Sequence, residues 1–147
     1  MIDTRLAPYG ALVLRVALGA MFIAHGLLKV IVFTIPGTVA FFGSLGYPAI
    51  FAYLTIAAEL FGGVMLIAGI APRLVSLALV PVLIGAMLVH VPNGWLFTAE
   101  NGGWEYPAFL VVAAVTQFLV GDGAATLVRS EKLVPAIAPG STQAVRA

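Results

Sequence analysis

The chain alternates long apolar runs with short breaks rich in proline, glycine and charge, a pattern that predicts helices crossing a bilayer. The runs extend from about Ala11 to Phe33, Ala49 to Ala71, Leu74 to Val91 and Glu105 to Val120. A hydrocarbon core about 30 Å thick needs roughly 20 apolar residues per helix, so the last run is the shortest of the candidates. Between the first two lies TIPGTVAFFGSLGYP (Thr34–Pro48), which proline and glycine break too often for a crossing. Within it Thr38, Phe41, Phe42 and Leu45 have the i, i+3, i+4, i+7 spacing of one helix face, with Pro36 suited to a first turn and Gly46 to a C-terminal cap. The pattern therefore predicts an all-α integral membrane four-helix bundle with a short interfacial helix between spans one and two. Residues 1–123 form the single expected domain. From residue 124 to 147 the chain reads as a tail, with disorder expected over the last ten residues, and the Gly121–Gly123 turn reads as a left-handed cap ending the fourth helix.

Composition moves the reading from apolar to membrane-embedded. Hydrophobic residues make up 62% and charged residues 9%, and the mean hydropathy is +1.12, whereas soluble domains carry nearer a quarter charged residues. A net charge of +1 without a basic patch excludes a nucleic-acid partner. The absence of cysteine excludes disulfide, thiolate and iron–sulfur chemistry by this chain alone. The N-terminus lacks the small-residue site of a cleaved signal, so the first span is expected to be retained. Arg5, Arg15, Arg73, Arg129, Lys132 and Arg146 fall on the side of the termini, and only Lys29 falls opposite. The positive-inside rule then predicts a multi-pass protein of the bacterial inner membrane, with cytoplasmic N- and C-termini and a cytoplasmic tail.

The polar positions inside the spans carry the candidate chemistry. At about 100° per residue, Arg15, Gly19, Phe22, Gly26 and Lys29 share a stripe about 80° wide, with His25 at its edge. Ionisable groups at membrane depth survive where they face protein or water, so this stripe faces a bundle interior; snorkelling of Arg15 and Lys29 to the two interfaces is the alternative. With a rise of about 1.5 Å per residue, His25 and Glu59 come nearly level, and Lys29, His90, Glu105 and Tyr106 fall toward the same outer end. Glu59 sits on a helix face with Thr55, Gly62 and Gly63. It serves either as a register-fixing partner of His25 or Lys29, or as a proton-transferring or ligand-holding carboxylate. His25, Lys29, Glu59, His90, Glu105 and Tyr106 are the candidate ligand-binding residues, Glu59 and His25 the candidates for catalysis, and Arg15 and Arg73 structural charges. Two histidines on different spans are a weak heme signal. Divalent-metal ligation by His25, Glu59, His90 and Glu105 suits the ligand types, but no metal site is assigned. Trp95, Trp104 and Tyr106 read as an interfacial belt.

With these residues in view, the chain resembles the DoxX family of small bacterial four-span membrane proteins, from about Leu14 to Leu127. The resemblance rests on RVALGAMFIAHGLLKV in span one and AAELFGGVMLIAGIAPR in span two, which carries Glu59, Gly63, Gly69 and Arg73. It continues with His90, Asn93–Gly94, GGWEYP at Gly102–Pro107 and the Gly121–Gly123 turn. Some relatives are described as the membrane subunit of a thiosulfate:quinone oxidoreductase, others as partners in thiol-redox or detoxification complexes. The resemblance implies an inner-membrane subunit of a redox complex, with quinone or another small hydrophobic ligand in an outward-facing polar pocket. A redox partner protein and a homo-oligomer are both compatible with it, alongside the lipid bilayer. The rival reading is a non-catalytic scaffold or small-solute permease whose intramembrane charges are structural.

Overall fold

The structure, a computed structural model, describes residues 3–137; the disorder expected for the last ten residues falls outside that range. Helix α1 (Ala7–Leu27) starts at Pro8 and continues through a π-helical turn at Leu28–Val32. Together they form an apolar helix of 26 residues, about 39 Å long. Helix α2 (Ile35–Ser44) has Pro36 in its first turn and Thr34 as N-cap, the hydroxyl accepting from Gly37 N at 3.3 Å. Helix α3 (Ala49–Ala68) begins after Pro48. Helix α4 (Pro72–His90) runs into a 3₁₀ turn at Val91–Asn93, and helix α5 (Glu105–Val120) follows a loop. Three helical segments, Ala7–Val32, Ala49–Ala68 and Pro72–Asn93, are long and apolar enough to cross a membrane, whereas α5 has 16 residues. Among the described residues the only β-pairing is a parallel bridge between Ile70 and Val128.

The helices alternate in direction. The start of α1, the α3–α4 turn and the end of α5 meet at one end, the terminal end; α2 and the 91–104 loop lie at the other, the loop end. α1 packs chiefly on α3, and α4 on α5. A core of Leu18, Phe22, Leu66, Val75, Leu79, Leu83, Leu110, Ala113 and Ala114 draws on α1, α3, α4 and α5. Phe61, Val64, Phe109, Val112 and Leu119 point outward, as lipid contact requires and a water-facing surface would not. The α1–α3 seam is a backbone contact. A Cβ placed on Gly19 would lie 2.7 Å from the Gly63 carbonyl oxygen, and one on Gly63 equally 2.7 Å from that of Gly19. Only small residues let helices approach so closely in lipid.

Arg15 settles the snorkelling alternative for its own side chain: it is 0% exposed. Its Nη1 donates to the carbonyls of Leu66 at 2.7 Å and Ile67 at 3.1 Å, and its Nη2 to those of Ala124 and Ala125, both at 2.7 Å. The first two belong to the last turn of α3, whose carbonyls lack the usual i+4 donors and carry the negative end of the helix dipole, Leu66 O accepting also from Gly69 N at 3.2 Å. Gly69 makes room for this. It ends α3 in the left-handed conformation (φ 72°, ψ 42°), with Ile70 N donating to Met65 O at 2.8 Å in a Schellman cap. A Cβ there would sit 2.6 Å from Arg15 Nη1. The expected cap at the other glycine turn differs: Gly121 ends α5 at φ 103° and ψ −172°, positive in φ but extended in ψ, a region open essentially to glycine alone.

The segment after α5 completes the terminal end. Ala124 N donates to Pro8 O, Ala71 N to Val128 O, and Val128 N to Gly69 O. Asp122 accepts from Ser130 N, Ser130 Oγ and Arg73 N. Arg73 donates through Nε to Phe118 O and through Nη1 to Ile137 O, both at 2.8 Å, with its guanidinium 5.1 Å from the Phe118 ring centroid. Replacing Arg15 by Met should therefore lower stability in detergent by roughly 3 kcal/mol or more, because an unpaired buried carbonyl costs about 1–3 kcal/mol. Lys at this position should recover little of it, since an ammonium cannot reproduce the guanidinium fork. A melting temperature unchanged by Arg15→Met would contradict this account of the terminal end.

Candidate functional site at the loop end

The site begins with a local departure from α-helical geometry. In the Leu28–Val32 turn the chain adopts i→i+5 bonding, closed by Phe33 N donating to Leu28 O at 3.0 Å. Such π turns occur mostly as single insertions in α-helices, often at functional sites. Lys29 lies in this turn, and the buried Thr38 of α2 donates its hydroxyl to the Lys29 carbonyl at 2.9 Å. Helix α2 thus braces the lysine-bearing turn. One turn earlier, Gly26 allows α3 to approach: a Cβ there would lie 3.4 Å from Glu59 Cβ and 2.7 Å from Leu60 Cδ2.

Across this seam Lys29 Nζ and Glu59 Oε1 form a salt bridge of 2.8 Å, with the side chains 19% and 7% exposed. Glu59 Oε2 is buried and has no hydrogen-bond partner among the described residues. Buried polar atoms are nearly always satisfied, and this oxygen is one of three such exceptions among the described residues, with Arg15 Nε and Gln117 Oε1. The sequence left His25 and Lys29 both open as Glu59 partners; the structure pairs the carboxylate with Lys29. His25 instead stacks its ring against Tyr106 of α5, with centroids 6.2 Å apart and planes 26° from parallel. It makes no direct hydrogen bond to Glu59 among the described residues. Two pairs therefore arise, one on the α1–α3 seam and one between α1 and α5, both carried by the last turns of the first helix.

His90 and Glu105 have other partners. His90 Nδ1 lies 3.0 Å from the Gly102 carbonyl, which fixes a proton on that nitrogen. Glu105 Oε1 accepts from Phe97 N at 2.8 Å. Asn93 Nδ2 donates to Gly102 O and Asn101 O, and the Trp95 and Trp104 rings meet edge-on at 4.4 Å. These contacts close the 91–104 loop on itself and leave Trp95, Leu96 and Phe97 exposed at its tip. Depth estimates bring His90 and Glu105 to the correct end of the bundle but say nothing of azimuth, and their side chains serve the loop backbone. Among the described residues no three His, Asp or Glu side chains gather as a metal-binding group. Thr38 is the contributor that sequence reasoning did not single out for the site. Its bond to the Lys29 carbonyl follows from the π turn, which leaves no local sequence signal.

These features define a small helical membrane protein with a buried ion pair at one end of its bundle. Residues 10–92 match the DoxX family, over half of the chain. The chain is also 44% identical over 113 residues to the Bacillus subtilis (strain 168) protein named "Putative oxidoreductase CatD", covering 77% of this chain and 80% of that protein. The protein belongs to the DoxX family. No solved structure matches it.

Proposed function

We propose that this DoxX protein is an inner-membrane subunit of a redox complex that binds quinone, or another small hydrophobic carbonyl compound, beside Glu59. The observation that carries the proposal is the second Glu59 oxygen, buried without a partner next to a paired lysine. Lys29 uses one of its three donor hydrogens on Glu59, so a ligand carbonyl can take another. His25 and Tyr106 supply a ring wall and further donors. Glu59 then exchanges a proton with the reduced ligand, in the manner of a positioned acid–base group. The chain has no cysteine, so in this reading the electrons come from a partner protein. The name of the Bacillus subtilis relative supports the redox assignment. The 2.8 Å ion pair also favours a second reading, a scaffold or small-solute permease in which Lys29 and Glu59 only lock α1 to α3.

The proposed topology has four crossings. At the loop end Glu105 N donates to Trp95 O, and at the terminal end Arg73 Nε donates to Phe118 O. α5 packs along α4, and in this topology its 16 residues (about 24 Å) cross with the help of the flanking segments. The basic residues near the terminal end orient it to the cytoplasm. Reporters fused after Ala147 and inserted between residues 93 and 103 should land on opposite sides of the membrane. Both on one side would remove the fourth crossing.

The redox reading and the scaffold reading separate in a charge-neutral variant. Glu59→Gln alone strands the Lys29 charge and should cost about 3–5 kcal/mol in either case. The pair Lys29→Met with Glu59→Gln removes both charges and should melt close to the parent protein. Under the proposal this stable double variant loses quinone retention in mild detergent by tenfold or more. Retention equal to that of the parent protein would leave the scaffold reading in place.

A further inference from the structure

The terminal end opens sideways between the first two turns of α1 and the last turn of α5, in a cleft of two chemically distinct parts. The outer part, about 360 Å³, is lined by Thr4, Pro8, Gly121, Asp122, Gly123 and Arg129. The inner part, about 570 Å³, is lined by Gly10, Ala11, Leu14 and Leu119. Ala7 and Val120 line both, so the two adjoin. A Cβ on Gly10 would meet nothing within 4 Å. The groove is open there.

Charge differs between the two parts. The Asp122 carboxylate is spent on Ser130 N, Ser130 Oγ and Arg73 N. The exposed Arg129 forms no ion pair or hydrogen bond through its guanidinium among the described residues. The mouth thus presents an unengaged guanidinium beside a carboxylate already bonded within the protein, and the side chains lining the groove behind it are apolar. Height matches this division. The apolar stretch of the first helix begins at Ala7, so the mouth lies at headgroup level, and the groove runs about 10 Å inward from Ala7 to Leu14. A soluble phosphate would leave the apolar part unused, and a neutral lipid would leave Arg129 unpaired. Basic pockets between membrane helices suit anionic lipid headgroups.

We propose that the α1–α5 cleft is a binding site for one anionic phospholipid, its phosphate at Arg129 and one acyl chain along Gly10, Ala11, Leu14 and Leu119. The site lies at the opposite end of the bundle from Glu59 and does not depend on the redox reading. The test uses the full chain, delipidated in mild detergent and offered equal phosphatidylglycerol and phosphatidylcholine, with bound lipid read by native mass spectrometry. One phosphatidylglycerol should be retained per chain, preferred about fivefold, the factor that one basic side chain is worth at a membrane surface. Arg129→Gln should abolish the preference, and Lys132→Gln, on the same end but outside the cleft lining, should leave it intact. Gly10→Phe, which fills open space, should reduce retention of both lipids. Equal retention of the two lipids by the parent protein would overturn the proposal. So would equal loss of preference in Lys132→Gln, or full retention in Gly10→Phe. Added quinone that displaces the lipid and is itself lost in Gly10→Phe would instead make the cleft a quinone site, and would also overturn it.

Discussion

A guanidinium buried among backbone carbonyls holds the terminal end of this bundle together. Arg15 reaches the last turn of α3 and the segment after α5 at once, through carbonyls of residues 66, 67, 124 and 125. In hydrocarbon, helix-end carbonyls have no water to turn to, and a cation among them answers both their unmet bonds and the negative end of the dipole. The arrangement demands Gly69, whose missing Cβ leaves the space that the guanidinium fills. It also draws the post-α5 chain across the α3–α4 turn, where Val128 bridges Gly69 and Ala71. Burial of an arginine is therefore structural at this end.

At the loop end the charges are arranged differently. Lys29 and Glu59 neutralise one another across the α1–α3 seam, and the close Gly19–Gly63 contact farther along fixes the seam's register. Whereas Arg15 is enclosed, Lys29 keeps 19% of its side chain exposed; each end has a buried polar atom without a partner among the described residues, Arg15 Nε at the terminal end and Glu59 Oε2 at the loop end. The difference in enclosure, a fully buried guanidinium with four carbonyl partners at one end and a partly exposed ion pair at the other, is the physical basis for reading the first as structural and for proposing ligand chemistry at the second.

The sequence shows the helices clearly because lipid imposes a single rule on every exposed position. Apolar runs and their proline breaks mark α1, α3, α4 and α5 to within a few residues, and helical spacing marks α2. The stripe of Arg15, Gly19, Phe22 and Gly26 is buried as its 3.6-residue period requires. Periodicity and rise fix height and face, but not which neighbour a side chain meets. So the sequence brings His25, Lys29 and Glu59 to one level without choosing between them, and in the structure the partner is Lys29, carried by the π turn. His90 and Glu105 reach the expected end but bond to loop backbone, which no spacing rule anticipates. The polar composition after Gly121 reads as a tail, yet Ser130 is buried and Ala124 and Ala125 meet Arg15. Those contacts span more than a hundred positions and leave no local trace.

In the proposed function, quinone lies against the Lys29–Glu59 pair. Photolabelling the intact protein with a diazirine-bearing quinone, followed by peptide mapping, tests it directly. Labels should concentrate on α1 around His25 to Lys29, on α3 around Glu59 and on α5 at Tyr106, and excess unlabelled quinone should suppress them. Labels scattered over the outward residues such as Phe61, Val64 and Val112, and indifferent to competition, would mean that quinone meets this protein only as part of the surrounding lipid.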